Sequence, residues 1–144
     1  MSAPVFDPPR HRRPAPNPTP FTEPFWEGTR IGELRLQCCS DCGHYRWTPQ
    51  IACPRCWSES AEWRATSGKG ELYSYTVIHR SVDPSRFGEP YILAVVLLDE
   101  GPYMLTNLVE CAPSDVRVGM RVAVRFERTD DGDFTVYPFA PADS

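Results

Sequence analysis

A chain of 144 residues is the size of one ordinary domain or of two small ones sharing an interface, and 41% hydrophobic residues suffice for a core. A formal net charge of −4 argues against a dedicated polyanion binder, whose affinity comes from a basic surface that neutralises phosphates. No apolar run approaches the about 18 residues of a membrane span, and no apolar stretch follows Arg10, Arg12 and Arg13 as in a secretory leader; a cytoplasmic protein is expected.

Residues 1–24 hold eight of the sixteen prolines with few large apolar groups, so residues 1–20 read as a disordered Pro-rich tail. Residues 21–33 read as a short helical segment. Thr22 suits its cap, Glu23 and Pro24 its first turn, and Gly32 a left-handed end. Phe25 and Trp26 are too large to leave in water; they either pack on the body of the protein or dock on another subunit. Leu34 and Leu36 then alternate with Glu33, Arg35 and Gln37, as in a strand.

That strand runs into "CCSDCGHYRWTPQIACPRC", which holds five of the six cysteines. Cytosolic thiols stay reduced, which favours metal ligation over disulfides. Cys39, Cys42, Cys53 and Cys56 have the spacing C-x2-C-x10-C-x2-C, two knuckles that place four thiolates around one tetrahedral ion. Gly43 and Pro54 suit tight knuckles. The spacing predicts a structural Zn2+, with iron as the alternative, in a ribbon spanning residues 34–65. Cys38 would give C-x3-C with Cys42 and competes with Cys39 as ligand; Cys111 reads as a buried thiol. A four-thiolate site keeps no open position for water or substrate, so this metal stabilises the fold and does not catalyse.

Residues 66–144 read as strands. "GELYSYTVIHR" sets Tyr73, Tyr75 and Val77 on one face against Leu72 and Ile78, the tyrosines reading as core. "PYILAVVLLDEG" reads as a strand buried on both sides, and "PYMLTNLVE" follows. "RVAVRFE" turns Val122, Val124 and Phe126 inward and Arg121, Arg125 and Glu127 outward. "TDDGDFTVYPF" turns at Asp131-Gly132 into a return strand. Five short strands with a broken middle connection predict a small closed barrel of the OB type. The fold class is therefore mainly β: an N-terminal helical segment, a zinc ribbon and a five-stranded barrel. Of the three histidines, His11, His44 and His79, none stands in a nucleophile, phosphate-loop or metal-hydrolase motif. His79 with Asp83 or Asp99 is the one acid–base pair on offer, and a solvated strand-end histidine is the plainer reading.

The succession "FWEG", "GELRLQC", "CSDCGHYRWTPQIACPRC", "SGKGELYSYTVIHR", "PYILAVVLLDEG", "LTNLV" and "VGMRVAVRFE" resembles, over residues 20–140, the zinc-ribbon/OB-fold family once labelled a domain of unknown function. That family accompanies thiolase-like proteins. The resemblance implies a rubredoxin-like ribbon ahead of the barrel, with zinc held by Cys39, Cys42, Cys53 and Cys56. It also implies an accessory subunit, or a domain cut from a longer chain, that works with a thiolase-fold partner on an acyl-CoA. Relatives in archaeal thiolase assemblies help hold coenzyme A. Others accompany aldolases that shorten steroid side chains. A retro-aldolase partner acting on a side-chain β-hydroxyacyl-CoA is the expectation, and an acyl-transferring thiolase the alternative. Lys69, Arg80 and Arg86 are the candidates for the CoA phosphates, Phe25 and Trp26 for docking. Where the family often has arginine, this chain has Cys38. The rival from another class is single-stranded nucleic-acid binding, common to OB barrels and ribbons, with Tyr73 and Tyr75 as stacking faces; the acidic balance speaks against it, and no nucleic-acid partner is expected.

Overall fold

The structure, a computed structural model, describes residues 5–6, 15–84, 88, 90–129 and 132–143. In chain order its elements are β1 (Val5–Phe6), α1 (Glu23–Arg30), β2 (Arg35–Cys39), β3 (Tyr45–Arg46), β4 (Ala61–Ala65), β5 (Lys69–Ile78), β6 (Tyr91–Leu98), β7 (Tyr103–Leu108), β8 (Arg121–Val124), β9 (Phe126–Arg128), β10 (Thr135–Val136) and β11 (Phe139–Pro141). Most of the stretch expected to be a tail lies outside the described residues. Within it, Val5–Phe6 pairs in parallel with Phe126–Glu127 of β9.

Helix α1 starts and stops where its sequence says. Pro24 stands in the first turn, and Gly32 leaves the helix at φ +81°. The expected cap is not made. The Thr22 hydroxyl instead accepts from the Thr19 N–H at 2.9 Å and donates to the Thr19 carbonyl at 3.2 Å, so it closes the preceding turn.

Five strands close into a barrel in the order β11-β7-β6-β5-β8. Counted within the barrel that order is 5-3-2-1-4, the OB arrangement the sequence predicts. Inward residues Leu72, Ile92, Val96, Leu98, Met104, Val122, Val124 and Phe139 fill it. Strand β6, expected to be buried on both faces, alternates buried and half-buried positions, because only its inner face meets the core. Tyr73 and Tyr75 are likewise not core residues. They are 54% and 38% exposed, and a bulge between Leu72 and Ser74 shifts the register of β5 on β6.

"RVAVRFE" alternates as expected but divides at Arg125. Strand β8 stays in the barrel, while β9 joins β1 and β10 in a separate three-stranded sheet. The return strand divides as well. Phe139 then pairs with Val124 of β8 and Leu108 of β7, which closes the barrel. Of the expected turn, Gly132 is at φ +76°, and Asp131 lies outside the described residues.

Gly70 is required by a close approach rather than by its backbone angles. A Cβ there would meet the Leu97 carbonyl oxygen, and Val96 Cγ1 at 2.7 Å. Gly70→Ala is expected to cost about 2–3 kcal/mol and to lower the melting temperature by about 4–10 °C, measured by calorimetry.

Candidate metal centre

The ribbon sheet has the order β3-β2-β4, with Gln37 opposite Arg46 and Cys38 opposite Tyr45. Cys39 ends β2, and its N–H donates to the His44 carbonyl at 2.9 Å. The two knuckles repeat one design. In the first, the Gly43 N–H donates to the Cys39 carbonyl at 3.0 Å, with Gly43 at φ +76°. In the second, the Trp57 N–H donates to the Cys53 carbonyl at 2.8 Å, with Trp57 at φ +67°. Each turn thus ends in a left-handed residue just after its second cysteine. Glycine does this freely, whereas the tryptophan pays roughly 1–2 kcal/mol. Sequence reasoning missed Trp57, since the signal was only its equivalence to Gly43. The hydroxyl of Ser58 donates to the Asp41 carboxylate at 2.5 Å and so ties the second knuckle to the first.

The Sγ atoms of Cys39, Cys42, Cys53 and Cys56 all lie within 4.8 Å of one another. Cys39 and Cys56 are 3.5 Å apart, Cys42 and Cys53 3.6 Å. Four sulfurs each about 2.3 Å from one zinc stand about 3.8 Å apart. The donor set therefore fits a structural zinc, one per chain. The four thiols are not equivalent: Cys39 and Cys53 are lowered, Cys42 and Cys56 raised. Backbone N–H groups, Cys42's foremost, bring Cys39 down to about 6 against the opposing effect of burial. Cys56 is pushed up to about 12: Ser58's N–H acts to lower it, but Cys39, burial and Cys42 outweigh that. The Arg55 N–H also donates to Cys53 Sγ at 3.4 Å.

The structure separates Cys38 from Cys39 for a simple reason. Adjacent residues of a strand point to opposite faces. Cys39 faces the cluster, and the Cys38 thiol donates to the Gly43 carbonyl at 3.5 Å. Cys38→Ser is therefore expected to keep one zinc per chain and Cys39→Ser to lose it, measured by metal analysis of the purified variants. Cys111 lies apart from the cluster, half-buried rather than buried, with its thiol toward the Ala112 carbonyl.

The other residues singled out in the sequence are scattered. Phe25 is wholly buried and offers nothing to a partner, which corrects its place among the docking candidates. Trp26 is half-buried beside it. Lys69 and Arg80 are both exposed but lie at opposite ends of β5, about 30 Å of strand apart, so they cannot grip one phosphate. Arg86 lies outside the described residues. Asp99, with its backbone N–H on the Lys69 carbonyl, is held by Arg121 through two hydrogen bonds of 2.8 and 2.9 Å. That guanidinium keeps the Asp99 carboxyl below its ordinary range, and no pair forms with the distant, exposed His79.

Residues 26–62 match the family model "ChsH2, rubredoxin-like zinc ribbon domain", and residues 63–127 match "ChsH2, C-terminal OB-fold domain". A "DUF35 domain-containing scaffold protein" of Methanocaldococcus jannaschii is 36% identical over 114 residues, which are 74% of this chain and 79% of that protein. The chain belongs to the DUF35 family. This DUF35 chain is also 36% identical to a "Probable enoyl-CoA hydratase alpha subunit" of Thermomonospora curvata, over 82% of its own length but only 37% of that protein's. A third relative is the "3-oxo-4,17-pregnadiene-20-carboxyl-CoA hydratase alpha subunit" of Mycobacterium tuberculosis, 32% identical over 81% of this chain and 36% of that one. Among solved structures, a chain of the "Ltp2-ChsH2(DUF35) aldolase" superposes with a TM-score of 0.79 at 34% identity, covering 91% of the DUF35 chain and 100% of its own length.

Proposed function

We propose that this DUF35 chain is a non-catalytic accessory subunit of a heteromeric, thiolase-fold acyl-CoA enzyme. Its partner is a retro-aldolase that cleaves a side-chain β-hydroxyacyl-CoA in steroid degradation, and the chain completes the partner's fold or its acyl-CoA channel. The observation that carries this reading is the end-to-end fit to a chain of the solved aldolase. Three features of the chain agree with it. The one cluster of metal-ligating residues among those described is coordinatively closed. Of the two acids the sequence offers to His79, Asp99 is engaged instead by Arg121. No helix among the described residues is long and apolar enough to cross a membrane.

In the cleavage the β-hydroxyl loses its proton, the Cα–Cβ bond breaks, a carbonyl compound leaves, and the remaining enolate takes up a proton as an acyl-CoA. No free coenzyme A is consumed. A thiolase consumes it, and this separates the two partner chemistries. Within the assembly Trp26 is the docking candidate. Arg80, Arg86 and Lys69 are the candidates for the CoA phosphates, with Lys69 at the far end of β5 from Arg80.

The test is affinity purification of the tagged chain from its native extract, followed by mass spectrometry and assay of what co-purifies. A thiolase-fold protein at near-equal amount, cleaving a β-hydroxyacyl-CoA without added coenzyme A, is the expected result. Cleavage that needs coenzyme A would make the partner a thiolase. Recovery with single-stranded nucleic acid would favour the exposed Tyr73 and Tyr75 as a stacking surface, and recovery of the chain alone would overturn the subunit reading.

A further inference from the structure

Arg46 is a buried cation without a counter-ion. Only 3% of it is exposed, and no carboxylate among the described residues pairs with it. Its Nε donates to Gln37 Oε1 at 2.9 Å and its Nη2 to the Gln50 carbonyl at 3.0 Å, while Nη1 has no partner. Gln50 completes a ring, since its own N–H donates to the same Gln37 Oε1 at 2.8 Å. A guanidinium taken out of water against neutral acceptors alone is costly unless an opposite charge stands near.

The fold supplies that charge. Gln37 and Cys39 are two apart on β2 and share one of its faces, about 7 Å along the strand. Arg46 pairs with Gln37 across the sheet and bonds its side chain, so it occupies the same face of the sheet as Cys39. A divalent ion held by four thiolates carries a net charge of −2, and two of those thiolates, Cys39 and Cys53, are buried. The ring also holds Gln50 within the ten-residue stretch that leads from Cys42 to Cys53, the segment whose path decides whether the second pair meets the first.

The geometry points to Arg46 as the counter-charge of the zinc centre and the clamp of the loop that carries the second cysteine pair to it. It is a positioning residue and not a ligand. This assignment stands apart from the proposal about the partner enzyme, and its test needs no partner.

The test is zinc affinity of the full chain, measured by competition with a chromophoric chelator, with thermal melting in excess zinc as the check on folding. Arg46→Met is expected to weaken zinc binding about 10- to 100-fold, as removal of an outer partner of a metal site does. Gln37→Glu keeps the acceptor that both Arg46 and Gln50 use but neutralises the guanidinium, and it is expected to weaken zinc binding about tenfold. Should Arg46→Met fail to fold, Gln37→Glu decides the matter by itself, because its ring is intact. Wild-type affinity in a folded Gln37→Glu overturns the counter-charge, and wild-type affinity in both variants overturns the assignment whole.

Discussion

Stripping the zinc with a strong chelator is expected to unfold the ribbon while the barrel keeps its structure. Sheet β3-β2-β4 has strands of two, five and five residues, too little to hold itself by pairing. Leu34 and Leu36 are buried, but the segment from Cys42 to Cys56 has Cys53 as its single core residue. Binding to a four-thiolate site contributes roughly 10–16 kcal/mol at neutral pH in small zinc domains, far more than such a sheet can replace. The barrel residues from Leu72 through Phe139 make up most of the core cluster, which Phe25, Leu34 and Leu36 join, and none of them is a metal ligand. Hydrogen exchange read with and without chelator should therefore show protection lost around Tyr45–Arg46 and kept in β5, β6 and β7. Unchanged protection in the ribbon would mean that the apolar contacts of Leu34 and Leu36 suffice, and that the metal is a passenger.

The second large effect belongs to Phe25. Its ring lies 4.4 Å from Trp47, 4.9 Å from Trp26 and 5.2 Å from Tyr137, centroid to centroid. Those partners come from the ribbon, the helix and the segment between β10 and β11, so one side chain joins three parts of the molecule. Tyr137 is buried deeply enough that desolvation raises its hydroxyl's pKa. Phe25→Ala leaves a cavity among rigid rings that cannot collapse into it. The expected cost is about 3–5 kcal/mol, a fall in melting temperature of roughly 10 °C for a chain of this length. Trp26→Ala should fall by only a few degrees, because that ring is half-buried at the edge of the cluster. If Trp26 docks on the partner, its variant keeps the fold and loses the complex, a pattern that Phe25→Ala cannot give. Equal losses of stability in the two variants would contradict the difference in their burial.

The parts of the molecule legible in the sequence are those set by neighbours along the chain. Paired cysteines two residues apart must form knuckles, so the metal ligands could be named from spacing, and Cys38 was in doubt only because it stands beside one of them. Proline early and glycine late bound α1 on local grounds. The side chain of Thr22 misled because two local partners competed for it and the turn at Thr19 won. Tyr73 and Tyr75 misled for a different reason. Alternation assumes an unbroken strand, and the bulge between Leu72 and Ser74 shifts the register at the first of the two tyrosines, which are 54% and 38% exposed.

By itself the sequence determined the mainly β character, the helix and its ends, the four thiolate ligands and the number of barrel strands, all consequences of residue type and short-range periodicity. Only the tertiary structure decided the rest. It divided "RVAVRFE" between two sheets at Arg125, closed the barrel with Phe139 on β7 and β8, and buried Phe25 while leaving Trp26 half-open. It put Trp57 in the position of Gly43 and brought Arg46, Gln37 and Gln50 into one ring. Each of these depends on segments far apart in the chain meeting in space, and the free energy of such meetings is written in no single stretch of residues.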